Sequence, residues 1–248
     1  MNFQSINQYG NIIDNNELFT QYHDSQMPIK YDSNYISFRE VPTLAEFIEV
    51  ETYLKRYHQG FNQNHLKFTI PGEKTLPKEL ESYLTNLEYS IGTLEMYKVN
   101  PSNFKGNRSD NTNIQYVTEY NWELFAQMQF NEDLRFGQGF AMAKQPFLKR
   151  VAQLSKWRAI MVYDEENQPV GSLELIISED TVEIDNLFIV EHKQKQGYGT
   201  QLQAFVMNAF PTKTVILVAD GDDTPKEMYK RQGYEFVDRV FEILKVGF

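Results

Sequence analysis

Two glycines one residue apart stand where a charged loop gives way to a helical apolar pattern, in the segment KQKQGYGTQLQAF, residues 193–205. The first N–H groups of a helix have no intrahelical partner and lie at the positive end of its dipole, so they can bind a phosphate through backbone alone. Gly197 and Gly199 leave that backbone bare, because a Cβ would occupy the space that the phosphate oxygens need. Lys193 and Lys195 add positive charge. The alternative is structural: one glycine forms a turn and the other permits close packing.

The glycine loop lies between a predicted antiparallel meander and a predicted helix. Residues 157–190 contain three β-rich runs separated by the turn-like stretches DEENQP and SED. After the loop, apolar residues recur at helical intervals and form one face. The other elements predicted in this part are a strand at IQYVTE, helices from Trp122 to Leu154 with a break near RFGQGF, a strand at KTVILVAD, a helix at TPKEMYKRQG and a strand at VFEILKV.

The N-terminal part shows a shortened version of the same order. Thr43 and Glu46 predict a capping box that opens a helix. The apolar face predicted for this helix carries Phe47, Val50, Leu54 and Tyr57. Strands are predicted at YISFRE, HLKFTIP and SIGTLEMYKV, with a second helix at PKELESYLTNL. The first helix follows REVPT with no glycine loop. The hypothesis is an old duplication in which only the second part kept the anion site.

Composition divides the chain and excludes several kinds of chemistry. The stretch 101–113, rich in Asn, Ser and Gly, predicts a linker between domains at 1–100 and 114–248. The chain has no cysteine, and its four histidines show no metal-ligand spacing, so no metal is expected. A formal net charge of -10 disfavours nucleic acids and anionic lipids as general partners. With no apolar run long enough to span a membrane and no secretory signal pattern, a cytoplasmic protein is expected.

Two segments carry a resemblance to a known family. LFIVEHKQKQGYG resembles the acyl-CoA-binding signature of the GNAT superfamily of N-acetyltransferases, Q/R-x-x-G-x-G/A after a strand, with matches at Gln194, Gly197 and Gly199. DDTPKEMYKRQGYEF is similar to the family's N-x-x-A-x-x-x-Y-x-x-x-G-F segment. The resemblance covers residues 114–248 and implies an α/β (α+β) GNAT fold, a mixed, mostly antiparallel sheet flanked by helices. The smaller α/β domain at 1–100 would resemble a partial, degenerate GNAT half.

The resemblance implies an acetyl-CoA site built largely from backbone. The strand residues Leu187, Phe188 and Ile189 would hold the pantetheine arm as an added strand, a form of edge pairing. The loop would hold the pyrophosphate through Gln194, Lys195, Gln196, Gly197, Tyr198, Gly199 and Thr200. Asp222 stands where many members have Asn and would also contact CoA. Because Asp accepts hydrogen bonds but cannot donate as an amide does, that contact departs from the family pattern.

The resemblance also implies two proton-transfer groups. Tyr229 stands at the family's general-acid position, and a phenol with a reference pKa of about 10 is protonated at neutral pH. Glu183 and Asp185 alternate on the strand that leads to the loop, so both lie on one face. Glu183 is the first candidate for the base that takes the amine proton. An exposed strand carboxylate, or one that binds a cationic substrate, remains the alternative.

These observations predict an N-acetyltransferase that transfers the acetyl group of acetyl-CoA to a primary amine by direct attack in a ternary complex. The alternative is a catalytically silent acyl-CoA-binding or regulatory protein. The acceptor is expected to be a small-molecule or peptide amine, and Phe136 and Phe140 are possible walls of its cleft. The chain is expected to be a monomer with an internal pseudo-dimer or a homodimer.

Overall fold

A computed structural model describes residues 1–106, 113–221 and 225–248 of the chain. Contacts divide the chain into two compact units. The first contains Met1–Met96, Ala219–Asp223 and Val237–Phe248. The second contains Tyr97–Val218 and Thr224–Phe236. The C-terminal end of the chain therefore groups with the N-terminal part, a non-local association that local sequence patterns do not report. The domain boundaries at 100 and 114 stay a prediction.

The described residues form eleven strands and six α-helices. The strands are β1 (Asn11–Asn15), β2 (Phe19–His23), β3 (Tyr35–Phe38), β4 (His65–Pro71), β5 (Ser90–Val99), β6 (Asn113–Tyr116), β7 (Trp157–Tyr163), β8 (Pro169–Ile177), β9 (Thr181–Ile189), β10 (Thr214–Asp220) and β11 (Glu235–Val246). The helices are α1 (Leu44–Gly60), α2 (Lys78–Asn86), α3 (Trp122–Asp133), α4 (Gln138–Val151), α5 (Tyr198–Ala209) and α6 (Pro225–Gln232). None of these helices combines the length and apolar composition that crossing a membrane requires.

Each unit has a mixed sheet with helices packed on it. In the first unit the strands lie in the order β1-β2-β3-β4-β11-β5. In the second unit the order is β10-β9-β8-β7-β6. Each unit contains one parallel pair joined through a helix: β3 and β4 around α1, and β9 and β10 around α5. The predicted α/β class with a mixed, mostly antiparallel sheet is confirmed.

The predicted helices and strands are confirmed. No element was predicted in the first 34 residues, and the structure shows strands there. That segment contains the hairpin of β1 and β2. Strand β1 is mostly exposed, and its Asn and Asp residues disfavour strands, so its sequence carries little strand signal. The predicted linker contains a 3-10 helix at Pro101–Asn103, and its residues 107–112 lie outside the described part of the chain.

Helix α1 confirms the predicted capping box. The Thr43 hydroxyl accepts a bond from the Glu46 N–H, and the Glu46 carboxylate accepts one from the Thr43 N–H. The predicted buried face is right at three of four positions, but Tyr57 is only half-buried and His58 is fully buried instead. Four residues after Leu54, His58 lies one full turn along the same stripe, whereas a tyrosine can keep its ring partly outside.

Candidate functional site

The glycine loop ends in a helix N-terminus that no side chain of the described residues caps. Gly197 is the N-cap of α5, with φ 94° and ψ -9°. The first intrahelical bond runs from the Gln201 N–H to the Gly197 carbonyl, at 3.0 Å. Only glycine adopts this left-handed conformation without strain, so Gly197 is required by the turn itself. The N–H groups of Tyr198, Gly199 and Thr200 form the first turn, where backbone donors have no helical partner.

Gly199 has a different reason to lack a side chain. A Cβ added there would meet only the side chains of Leu187 and Ile189, each at 3.8 Å, which is ordinary contact distance. The fold therefore tolerates alanine at this position, and close protein packing does not explain the glycine. The structural alternative accounts for Gly197 and fails for Gly199. Open space beside bare N–H groups is what a bound phosphate needs.

The first unit allows a comparison, because helix α1 stands at the corresponding place in its own parallel pair. Helix α1 follows β3 as α5 follows β9, but its N-terminus is closed by the Thr43 and Glu46 side chains. The Glu46 oxygen that accepts from the Thr43 N–H, at 2.7 Å, puts a carboxylate where an anion would bind. The start of α1 is therefore capped by side chains and carries its own carboxylate, whereas no side-chain bond caps the start of α5 in the described residues.

The loop side chains mostly hold the loop in shape. Gln194 donates from Nε2 to the Ile189 carbonyl at 3.0 Å, which ties the loop to the end of β9. Gln196 donates in the same way to the His192 carbonyl at 3.1 Å. In this conformation both amides support the loop rather than pointing to a ligand.

The two lysines of the loop differ in their surroundings. Lys193 pairs with Asp164 at 2.8 Å, and the hydrogen bond in this pair raises the pKa of Lys193 and lowers that of Asp164. Its charge is thus largely balanced. Lys195 is exposed and has a left-handed backbone with φ 60°. Lys195 is therefore the better source of positive charge for an anion.

The first turn of α5 is tied to the end of α6 and to the residues just after it. Gln232 donates from Nε2 to the Thr200 hydroxyl at 3.1 Å. The buried Tyr234 donates its hydroxyl to Gln203 Oε1 at 2.8 Å, and Gln203 Nε2 donates to the Gly199 carbonyl at 3.3 Å. Burial, with a smaller contribution from Tyr229, raises the pKa of Tyr234 above its usual range. Tyr234 therefore remains a neutral donor.

Tyr229 lies on α6 within this connected group. Its ring centroid is 5.5 Å from that of Tyr97 and 5.5 Å from that of Tyr234, and its side chain is half-buried. Gly233, with φ 92°, ends the helix, and the Tyr234 N–H bonds to the Tyr229 carbonyl at 3.0 Å. Contacts thus run from Gly199 through Gln203 and Tyr234 to the Tyr229 ring.

Strand β9 leaves its parallel neighbour at the place predicted for the pantetheine arm. Pairing with β10 runs from Thr181 with Thr214 to Ile184 with Leu217. Beyond this point the described register of β9 continues on the β8 side alone. Residues 187–189 therefore have one unpaired edge. Leu187 and Ile189 approach Gly199, whereas Phe188 lines a cavity of about 330 Å³ beside α3.

Glu183 and Asp185 lie on one face of β9, as predicted, because their partners Ile176 and Glu174 alternate in the same way on β8. Glu183 is buried. Asp185 is half-buried, and its Oδ1 accepts the N–H of Asn186 at 2.8 Å. This bond lets Asp185 hold the backbone of the next residue.

A buried polar network on the same face was missed by the sequence analysis. Glu174 accepts from Trp157 Nε1 at 2.8 Å and from Asn186 Nδ2 at 2.8 Å. Asn186 Nδ2 also donates to Gln129 Oε1 at 2.8 Å, and Gln129 Nε2 donates to Ser172 at 3.0 Å. Burial and the facing carboxylate of Asp185 raise the pKa of Glu174. The signals were a lone Glu in the apolar run GSLELII and an Asp-Asn pair inside a strand.

Two further predictions concern ligands. Asp222 lies outside the described residues, so its contact to CoA stays a prediction. Within the described residues, no three His, Asp or Glu side chains are grouped so that they could hold a metal ion. Three of the four histidines lie in the first unit and are buried: His23, His58 and His65. The rings of His58 and His65 are 4.7 Å apart, a proximity that their spacing in the sequence did not suggest.

Comparison with known families agrees with this geometry. The family model described as acetyltransferase (GNAT) domain matches residues 136–245, which include the glycine loop and Tyr229. Residues 136–245 form a GNAT domain. A separate family model, described as a domain of unknown function (DUF5613), matches residues 1–97. The matched residues contain the parallel pair of β9 and β10, the start of α5 and the unpaired edge of β9.

Several proteins are similar over most of the chain that carries this GNAT domain. An uncharacterized N-acetyltransferase, CgeE, of Bacillus subtilis (strain 168) is 20% identical over 91% of this chain and 88% of its own. A functionally unknown conserved protein from Staphylococcus epidermidis ATCC 12228 has a TM-score of 0.91 and 29% identity, covering 99% of this chain and 98% of its own. A GCN5-related N-acetyltransferase from Kribbella flavida has a TM-score of 0.63 and 14% identity, covering 96% and 90%. The last of these shows likeness of fold alone.

Proposed function

We propose that the GNAT domain of this protein transfers the acetyl group of acetyl-CoA to a primary amine. The observation that carries the proposal is the N-terminus of α5, where Gly197 is the cap, no described side chain satisfies the first-turn donors, and close packing does not explain the missing side chain of Gly199. These features fit a diphosphate bound by main-chain N–H groups. The Thr200 hydroxyl, which accepts from Gln232, can still donate its own hydrogen to a phosphate oxygen.

The strand and the loop would hold different parts of acetyl-CoA. The unpaired edge at Leu187, Phe188 and Ile189 offers backbone groups to the pantetheine arm, as an added strand would use them. The loop from Gln194 to Thr200 would surround the diphosphate, with Lys195 as the exposed cation. When bound, acetyl-CoA supplies a thioester whose carbonyl carbon an amine can attack.

Side chains would assist two proton transfers. The bond from the amine nitrogen to the acetyl carbon forms as the carbon–sulfur bond breaks, and the Tyr229 phenol would give its proton to the leaving sulfur. The proton that the nitrogen releases as the amide forms would then restore the phenol. An acceptor that arrives as an ammonium ion must first lose one proton to become a nucleophile. We assign the role of base to Glu183, a buried carboxylate on the strand that leads to the loop, directly or through water. Glu183 and Asp185 both lie on the sheet face that α3 supplies with Gln129, so we propose that the acceptor enters from that side.

A binding and turnover assay tests the proposal. The purified chain is titrated with acetyl-CoA by calorimetry, then incubated with acetyl-CoA and a panel of polyamines, amino acids, aminoglycosides and peptides while thiol release is followed. Saturable binding with thiol release on at least one amine is expected. Binding without turnover on every amine would favour the silent acyl-CoA-binding alternative. A folded chain that does not bind acetyl-CoA would overturn both.

The cellular location and assembly state belong to the same proposal. An enzyme that uses acetyl-CoA needs a compartment that supplies it, so we keep the cytoplasm as the proposed location. We also propose that the chain is a monomer with an internal pseudo-dimer. The corresponding parallel pairs around α1 and α5 support this, and a mass measurement in solution would test it.

A further inference from the structure

Strand β9 contains a bulge one residue long. Between the pair Ser172–Phe188 and the pair Glu174–Asp185, β8 has one residue and β9 has two. Asn186, in the bulge, has a left-handed backbone with φ 46°. Asparagine is among the few residues that adopt this conformation at modest cost, and one extra residue reverses which face every later side chain occupies.

The bulge decides the orientation of the proposed pantetheine strand. Leu187 and Ile189 approach Gly199 at the start of α5, and Phe188 turns to the α3 side. With regular pairing instead of a bulge, these three side chains would exchange faces. The bulge also begins two residues after the last β9–β10 pair, which is formed by Ile184. It therefore coincides with the point where the two parallel strands separate.

In the bulged arrangement, buried polar groups around Asn186 have hydrogen-bond partners. Asn186 donates from one side-chain nitrogen to Glu174 and to Gln129, each at 2.8 Å, and both acceptors are buried. Trp157 satisfies the second oxygen of Glu174, and Asp185 satisfies the N–H of Asn186. Regular pairing would move the amide away and leave a buried carboxylate with one donor fewer, which is costly.

We propose that Glu174 and Asn186 are positioning residues for acyl-CoA binding: their hydrogen bond holds the bulge that separates β9 from β10 and aims residues 187–189 at the start of α5. This inference rests on the proposed function. Neither side chain contacts the ligand in this scheme. They act through the backbone of β9, and their contribution appears as affinity for acetyl-CoA.

An exchange of the two groups tests the inference. Asn186→Asp places a second carboxylate against Glu174 and so breaks the complementary pair, whereas Glu174→Gln alone leaves two facing amides that can still donate and accept. The double variant Glu174→Gln/Asn186→Asp restores one amide and one carboxylate with the polarity reversed. The new amide can also accept from Trp157, and the Gln129 amide can rotate to donate to the new carboxylate.

Calorimetric titration with acetyl-CoA gives the outcome. Asn186→Asp is expected to bind at least about tenfold more weakly than the wild type, and both Glu174→Gln and the double variant within about threefold of it. The control is Asn34→Asp in the first unit, where the buried Asn34 also donates to two acceptors, the carbonyls of Met27 and Lys30, at 2.9 and 2.8 Å. That variant is expected to lose stability and keep its acetyl-CoA affinity.

The outcomes separate this inference from the proposed function. If the wild type binds and Asn186→Asp binds within about twofold of it, the inference fails while the function stands. A folded double variant no tighter than Asn186→Asp also overturns it. If Asn186→Asp does not fold, the double variant decides alone: binding near wild-type affinity supports the inference, and loss of binding in a folded protein refutes it. A folded wild type that does not bind acetyl-CoA overturns both.

Discussion

The side-chain amide of Gln232 donates a hydrogen bond of 3.1 Å to the hydroxyl of Thr200, which joins the end of α6 to the first turn of α5. The hydroxyl therefore has its own hydrogen directed away from Gln232 and available to a phosphate. A substitution that keeps the shape and removes the hydroxyl should expose this role.

Thr200→Val is expected to weaken acetyl-CoA binding about tenfold, because a hydrogen bond to a charged group contributes about 1.5–3 kcal/mol. Thr200→Ser retains the hydroxyl and should stay within about threefold of the wild type. Calorimetric titration of both variants measures the difference. Equal affinities for the valine and serine variants would show that the hydroxyl does not contact the ligand.

Gly199→Ala is expected to change stability and affinity in opposite directions. The added methyl meets only ordinary contacts, and alanine is favoured over glycine in helices by up to about 1 kcal/mol, so stability should not fall. The same methyl occupies space beside the first-turn N–H groups, so acetyl-CoA affinity should fall at least about tenfold, or about 1.4 kcal/mol. Urea unfolding and calorimetry measure the two effects.

Gly139→Ala is the matched control for Gly199→Ala. Gly139 is the second residue of α4, as Gly199 is of α5, and a Cβ there meets nothing within 4 Å. The control should gain similar stability and keep its acetyl-CoA affinity. A Gly199→Ala variant that matched the control in both measurements would return Gly199 to a purely structural role.

Tyr229→Phe is expected to lower kcat at least about tenfold and to leave the acetyl-CoA dissociation constant within about twofold, because the phenol acts only when the sulfur leaves. Tyr53→Phe, which removes a phenol that bonds to Gln21 in the first unit, is the control. Thiol release with a reactive amine from the panel gives the rates. Wild-type turnover in Tyr229→Phe would remove the residue from the acid role.

The first unit is expected to lose stability in mild acid. Burial lowers the pKa of His58 and His65 from 6.5 to about 4, and it lowers the pKa of His23 as well. The unfolded chain therefore binds more protons than the folded chain between pH 6.5 and 4, so stability present above pH 6.5 declines as the pH falls. For His58 and His65 the loss by pH 4 is about 3 kcal/mol each.

Urea unfolding at pH 7.5, 6.0 and 5.0 measures this loss, with a signal that reports on the unfolding of the first unit. His58→Gln stays neutral throughout and should reduce the pH slope by about one proton, or about 1.4 kcal/mol per pH unit. A wild-type slope near zero between pH 6 and 5 would contradict the assignment of neutral buried histidines.

Local patterns predicted most elements because their causes are local. The Thr43–Glu46 box opens α1, Gly197 and Gly233 occupy left-handed positions, and period-two alternation marks the strands. The hairpin of β1 and β2 was missed because its first strand, β1, is mostly exposed and lacks that alternation. His58 replaced Tyr57 in the core because the choice between two adjacent positions depends on what packs against the helix.

The candidate site divides in the same way. The spacing of Gly197 and Gly199 predicted an anion site at a helix N-terminus, and of the two corresponding helices α1 is capped by side chains whereas α5 is not. No spacing predicted that Glu174 would meet Asn186, or that Tyr234 would meet Gln203. Glu174 and Asn186 are 12 residues apart in the chain, and Gln203 and Tyr234 are 31 residues apart.

The sequence by itself determined what each segment forms, because caps, turns and periodicity act over a few residues. It also determined the class of ligand that the glycine loop suits, since bare N–H groups at a helix start favour anions whatever surrounds them. Only the tertiary structure decided which groups meet, such as the buried network that holds the β9 bulge and the three histidines of the first unit. Those contacts depend on strand register and helix packing, which follow from burial across the whole fold.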